Sequence, residues 1–98
     1  MVSIAEREYR IEPPRVRLPR PGLIDLRVRN AGKRAHGLLL ETSVGRLQTG
    51  TIPPGGSAEI RVRLRAGVYP WYSPVDGDRG RGMRGELAIA RPKPRRGP

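Results

Sequence analysis

The side chains able to do acid–base, nucleophilic or ligand chemistry are few. There is one imidazole, His36, and no Cys among the 98 residues. A single imidazole with no Ser-His-acid spacing around it does not predict a hydrolase. The Gly-rich run Gly77 to Gly85 follows a strand-like stretch but does not open a helix, so the backbone cradle of a phosphate-binding loop is not expected either. The chain reads as a non-enzyme. Absence of Cys also excludes disulfides and every metal centre that needs a thiolate, because neither a hydroxyl nor a carboxylate supplies that soft, covalent donor.

Charge is the other source of chemistry. The formal net charge is +11, and Arg outnumbers Lys by 18 to 2. A surplus of this size speeds encounter with anionic partners such as an acidic protein, an anionic membrane face or a nucleic acid. The plainer reading is that Arg fills solvent faces in an Arg-biased chain. The aromatic residues, Tyr9, Tyr69, Trp71 and Tyr72, do not suit a platform for single-stranded nucleic acid. Alternation puts Tyr69 and Trp71 on one face with Ser73, pointing inward, and leaves Tyr72 outside; stacking needs several exposed rings. Nucleic acid is thus expected to bind only nonspecifically, through phosphates.

The elements that must position these groups are strands. Tyr9 and Ile11 alternate with Glu8, Arg10 and Glu12, and Val16 and Leu18 with Arg15 and Arg17. The same period recurs at Ile24, Leu26 and Val28, at Leu38 and Leu40, at Ile60, Val62 and Leu64, and at Leu87 and Ile89. Period-two burial predicts an antiparallel sandwich. Turns fall at Pro13-Pro14, Pro19 to Gly22, Asn30 to Gly32, Pro53 to Gly56 and Ala66-Gly67. Thr42 to Ile52 is the least regular internal stretch, where a short helix or a loop is expected to cross one end. With 13 Gly and 11 Pro in 98 residues, the composition suits a turn-rich all-β domain better than helices. One domain, residues 1–90, is expected. Residues 91–98, RPKPRRGP, carry no apolar side chain fit for a core and are expected to be a disordered basic tail or a linker. The start, MVSIAEREYR, lacks the apolar stretch of a secretory signal.

Several landmarks occur in a fixed order over residues 8 to 90. Leu23 to Gly32 reads as a strand followed by N-x-G. His36 precedes the L-x-L pair Leu38 and Leu40, and the turn Ile52 to Ser57 precedes the strand Glu59 to Leu64. Gly67-x-Tyr69, Ser73-Pro74, Gly77 and Gly82-Met83 complete the series. This succession resembles the cupredoxin family, the small copper proteins of the plastocyanin and azurin kind. Ser73 to Asp78 and Asp78 to Met83 are both steps of five residues, a common family spacing of Cys, His and Met. The resemblance implies an all-β, Greek-key β-sandwich or barrel of seven to eight strands. It also implies extracytoplasmic placement, should a leader have been removed. Two departures stand out. Pro70 lies inside the expected ligand strand, which predicts an edge or a bulge, and Gly37 follows the His where many members carry Asn.

The resemblance also assigns four positions at the copper site, His36, Ser73, Asp78 and Met83. Ser73 stands where the thiolate belongs and Asp78 where the second imidazole belongs, so a copper-site-degenerate member is implied. Asp78 and His36 are expected to form a hydrogen-bonded pair that replaces the metal as a crosslink between loops. The function expected is a metal-free binding or assembly module with a basic surface, its partner an acidic protein, a larger complex or an anionic membrane face. Two alternatives stand beside it: a weak, non-blue copper or other metal site on His36, Asp78 and Met83, and nonspecific binding to nucleic acid or another anionic surface. Ser73, His36 and Asp78 also superficially offer the parts of a hydrolytic triad, without a shaped pocket to use them.

Overall fold

The computed structural model describes residues 2–91. Nine strands are present, β1 (Val2–Arg7), β2 (Arg10–Glu12), β3 (Arg15–Leu18), β4 (Gly22–Asn30), β5 (Leu39–Thr42), β6 (Gly45–Gln48), β7 (Ser57–Leu64), β8 (Gly67–Tyr72) and β9 (Arg84–Ile89), with one 3₁₀ turn, Asp78–Arg81, between the last two. They form two sheets, ordered β2-β1-β4-β7 and β3-β9-β8-β5-β6. The all-β sandwich is as expected. The strand count exceeds seven to eight because β6 carries no alternation and the alternation of β1 ends on an acid, Glu6.

Alternation does build the core. Ile24, Leu26 and Val28 of β4, Ile60 and Leu64 of β7, Tyr69 and Trp71 of β8, and Leu87 and Ile89 of β9 are all buried, while the intervening arginines face solvent. Trp71 is fully buried and donates its indole N–H to the Pro14 carbonyl at 3.0 Å, so its one polar atom is satisfied.

Four expectations are corrected. The first strand is β1, not a run through Tyr9: Tyr9 sits in the β1–β2 turn with φ 66° and is exposed. The sandwich is mixed and not antiparallel throughout, since β1 runs parallel to β4 and β3 parallel to β9. Thr42 to Ile52 holds neither helix nor irregular crossing but the second strand of the β5–β6 hairpin. Pro70 is in an interior strand, paired with Glu86 of β9; on its other side the β5–β8 ladder stops at Leu40↔Trp71, so the missing N–H falls where β5 has already turned away.

The residues that carry β3 across to the second sheet depend on one close approach. A Cβ at Gly85 would lie 1.8 Å from the Pro14 carbonyl oxygen and 2.7 Å from the Trp71 indole nitrogen. Backbone cannot move that far without breaking the bond from the Glu86 N–H to the same carbonyl, 2.9 Å. Gly85→Ala is therefore expected to destabilise the fold by about 3 kcal/mol, measured as a drop in the urea midpoint at unchanged slope.

Candidate functional site

The four positions lie at one end of the sandwich. His36 follows β4 and is fixed by a backbone bridge to Ile52: its N–H donates to the Ile52 carbonyl at 3.1 Å and its carbonyl accepts from the Ile52 N–H at 2.6 Å. The β4 end is held by Asn30, fully buried, whose side-chain amide donates to the carbonyls of Arg34 and Ile52 while its oxygen accepts from the Gly32 N–H. Gly37 has a spatial cause as well. A Cβ there would approach the Gly50 carbonyl to 2.8 Å.

Ser73, Asp78 and Met83 are tied together through the main chain. The Ser73 N–H donates to the Met83 carbonyl and the Met83 N–H to the Asp78 carbonyl, each at 3.0 Å. Gly77 and Gly82 bracket the 3₁₀ turn at φ 74° and 117°, left-handed values that a side chain disfavours, and this tight reversal aims Asp78 inward.

Side chains then converge on one atom. His36 Nδ1 donates to Asp78 Oδ2 at 2.7 Å, and Ser73 Oγ donates to the same oxygen at 2.8 Å. Ser73 Oγ in turn accepts from the Gly37 N–H at 3.2 Å. All three side chains are buried, so the contacts are made away from water and are strengthened by it. The expected His36–Asp78 crosslink is thus present. Met83 is fully buried, and its side chain belongs to the apolar core.

This arrangement does not fit a type-1 copper ion. The chain has no thiolate, and the imidazole nitrogen and hydroxyl that face the site already donate to a carboxylate oxygen. Among the described residues no group of three His, Cys, Asp or Glu side chains is placed to hold a metal. A hydrolytic triad does not form either. Ser73 gives its proton to the carboxylate rather than to the imidazole, and His36 Nε2 is buried without a partner among the described residues.

Glu6 is the residue that the sequence reading passed over. It shares the inward face of β1 with Val2 and Ile4, is fully buried, and neither carboxyl oxygen has a hydrogen-bond partner among the described residues. Burial, with a smaller contribution from the negative charge of Asp78, pushes its pKa up from 4.5 to about 8. The periodicity Val2, Ile4, Glu6 was the signal that could have found it.

Outside the site, the loops that carry it present ordered cations. Arg79 lies 4.2 Å over the Tyr72 ring, and Arg81 lies 5.3 Å over Tyr9 while donating to its hydroxyl at 3.2 Å. Arg34 also donates to the Tyr9 hydroxyl at 3.5 Å. The loop before His36 is set by the Glu8 carboxylate, which accepts from the backbone N–H groups of Lys33 and Arg34; these bonds, that from Lys33 first, hold its pKa below the usual carboxylate range.

A family model described as PQQ-associated matches residues 1–96. The chain belongs to the PQQ-associated family. Its fold is that of the cupredoxins. A reduced auracyanin from Roseiflexus castenholzii superposes with a TM-score of 0.81 at 16% identity, over 91% of this chain and 95% of that one. Auracyanin A from Chloroflexus aurantiacus, a "blue" copper protein, gives 0.76 at 12% identity over 91% and 97%. An oxidised variant of amicyanin gives 0.70 at 11% identity over 91% and 81%. No curated protein matches this PQQ-associated chain in sequence. Among the described residues no helix is long and apolar enough to cross a membrane.

Two predictions follow the site chemistry. Asp78→Ala leaves the Nδ1–H and the hydroxyl without an acceptor and is expected to cost about 3 kcal/mol, read from equilibrium unfolding. Glu6 titrates in the opposite sense to a salt-bridged acid. Its folded pKa of about 8 lies above its ordinary 4.5, so the folded state binds the proton more tightly. The contribution is intact below pH 4.5 and is lost as pH rises towards 8. Glu6→Gln is expected to flatten that decline and to be more stable than the parent at pH 8 by about 2 kcal/mol, seen in urea titrations at a series of pH values.

Proposed function

We propose that the protein is a copper-free cupredoxin-like module that works by docking, with an acidic face of a partner or larger complex as its target. It is not an enzyme and does not carry electrons. The observation that carries this reading is the pairing of a site whose two donors converge on one carboxylate oxygen with an externally charged rim. Asp78 Oδ2 receives both site donors, while Arg79 and Arg81, one and three residues along the same loop, are exposed and held over tyrosine rings. A guanidinium stacked on an aromatic ring keeps its in-plane donors free and loses less side-chain freedom on meeting a carboxylate.

The family description supplies the context of an association with PQQ, a planar quinone bearing three carboxylates. We place the partner among proteins that work with PQQ, outside the cytoplasm, with the basic end guiding the encounter. Binding of this kind weakens with salt because surface charges are screened beyond about 10 Å at 0.1 M.

Two measurements test the reading. Cupric ion added to the purified protein is expected to give no intense red-end absorption band and no one-equivalent binding that His36→Ala abolishes. Binding to polyglutamate is expected to fall with salt and to weaken about tenfold in Arg34→Gln/Arg81→Gln, but not in Arg29→Gln/Arg63→Gln on the opposite sheet. A blue band, or equal loss in both double variants, would overturn it.

A further inference from the structure

A cleft of about 550 Å3 opens on the outer face of the second sheet, beside the site but not part of it. Its lining combines Pro14, Pro70, Trp71 and Tyr72 with three arginines, Arg15, Arg79 and Arg84, against one acid, Glu86. The strand pairings explain the convergence. Arg15 of β3 is in register with Glu86, Glu86 with Pro70, and Arg84 with Tyr72, so one patch of three adjacent strands brings these side chains to one face. Arg79 joins them from the 3₁₀ turn by stacking on Tyr72.

None of the three arginines pairs with a carboxylate among the described residues, whereas Arg7, Arg10, Arg46 and Arg61 elsewhere do. Three unneutralised guanidinium groups around one concavity repel each other, and an anion bound between them removes that repulsion. The partly apolar lining selects among anions. A hydrated inorganic ion gains nothing from the prolyl surfaces, while a planar organic anion covers them and still reaches the guanidinium groups. The volume lies within the range of small-molecule sites and is too limited to seat a folded surface.

We propose that this cleft is a binding site for a small planar polycarboxylate, held by Arg15, Arg79 and Arg84 with the Pro14 and Pro70 surface against its ring, Tyr72 serving to hold Arg79 in place. Fork-shaped guanidinium donors suit carboxylates in particular, because each accepts two parallel hydrogen bonds. Gly85 lies beneath the same cleft, where its missing side chain lets Pro14 and Trp71 meet. The cleft shares Arg79 with the docking rim of Arg79 and Arg81, but Arg15, Arg84 and Pro70 take no part in the docking reading, so Arg84→Gln separates failure of one from failure of the other.

Calorimetric titration of the full chain with benzene-1,3,5-tricarboxylate, with PQQ and with the non-planar propane-1,2,3-tricarboxylate tests it. Binding of one equivalent of a planar tricarboxylate in the micromolar range is expected. Arg79→Gln and Arg84→Gln should each weaken it about tenfold, the loss of one charge-assisted pair, while Arg29→Gln/Arg63→Gln leaves it unchanged. Tyr72→Leu removes the ring that holds Arg79 and should weaken all three ligands, while in the parent chain the two planar acids should bind more tightly than the non-planar one. These are surface substitutions, and thermal melts confirm that the variants fold. Millimolar or weaker binding of both planar ligands would overturn the proposal, as would equal losses in the cleft and control variants or equal affinity for planar and non-planar acids.

Discussion

One carboxylate oxygen holds the functional end of this molecule together. Asp78 Oδ2 receives a proton donor from His36, 42 residues earlier in the chain, and another from Ser73, five residues earlier. These two contacts join the loop after β4, the end of β8 and the 3₁₀ turn before β9. Their common point is an acceptor, and that fixes what the site can be. A nitrogen that donates to Oδ2 carries a proton and is not free to ligate through that atom.

The arrangement places a charged group in a low-dielectric end of the sandwich, and a second acid lies near enough to feel it. Glu6 sits on the core face of β1 without a hydrogen-bond partner among the described residues, and the charge of Asp78 adds to its desolvation. Two carboxylates in one apolar end do not both ionise cheaply. Asp78 has the imidazole and the hydroxyl as donors, whereas Glu6 has none among the described residues and keeps its proton. The interior is therefore a proton-loaded polar cluster, where one acid is stabilised by its donors and the other by neutrality. Stability is drawn down by Glu6 in the neutral range, a cost the aliphatic core of β4, β7 and β9 offsets.

Much of this was legible in the sequence, for local reasons. Tyr69, Trp71 and Ser73 face inward because parity in a strand is strict, and the five-residue spacing of Ser73, Asp78 and Met83 follows from one loop closing on itself. The His36–Asp78 contact could be foreseen only through the resemblance, which puts two loops far apart in sequence at one end of the sandwich. What was missed had weak or non-local signals. β6 buries little beyond half of Leu47, so it leaves no alternation to read. The parallel pairing of β3 with β9 joins residues some 70 positions apart, through a crossing at Pro14 that only Gly85 permits. Glu6 was hidden by its own chemistry, since an acid at a core position breaks the apolar pattern that would mark its strand.

The outer arginines gain their significance from how they are held. An arginine free in solvent samples many rotamers, and fixing it against a partner loses much of that freedom. Arg79 and Arg81 are already stacked, each on a tyrosine that the scaffold itself positions: Tyr72 by the β8–β9 ladder, Tyr9 by the β1–β2 turn. Both arginines follow Asp78 in the same 3₁₀ turn, so the buried crosslink also sets where the two guanidinium groups stand. Loss of the Asp78 anchor would release both cations together. The basic rim at this end is thus joined to the interior site, because the carboxylate that accepts from His36 and Ser73 opens the glycine-rich turn that carries Arg79 and Arg81.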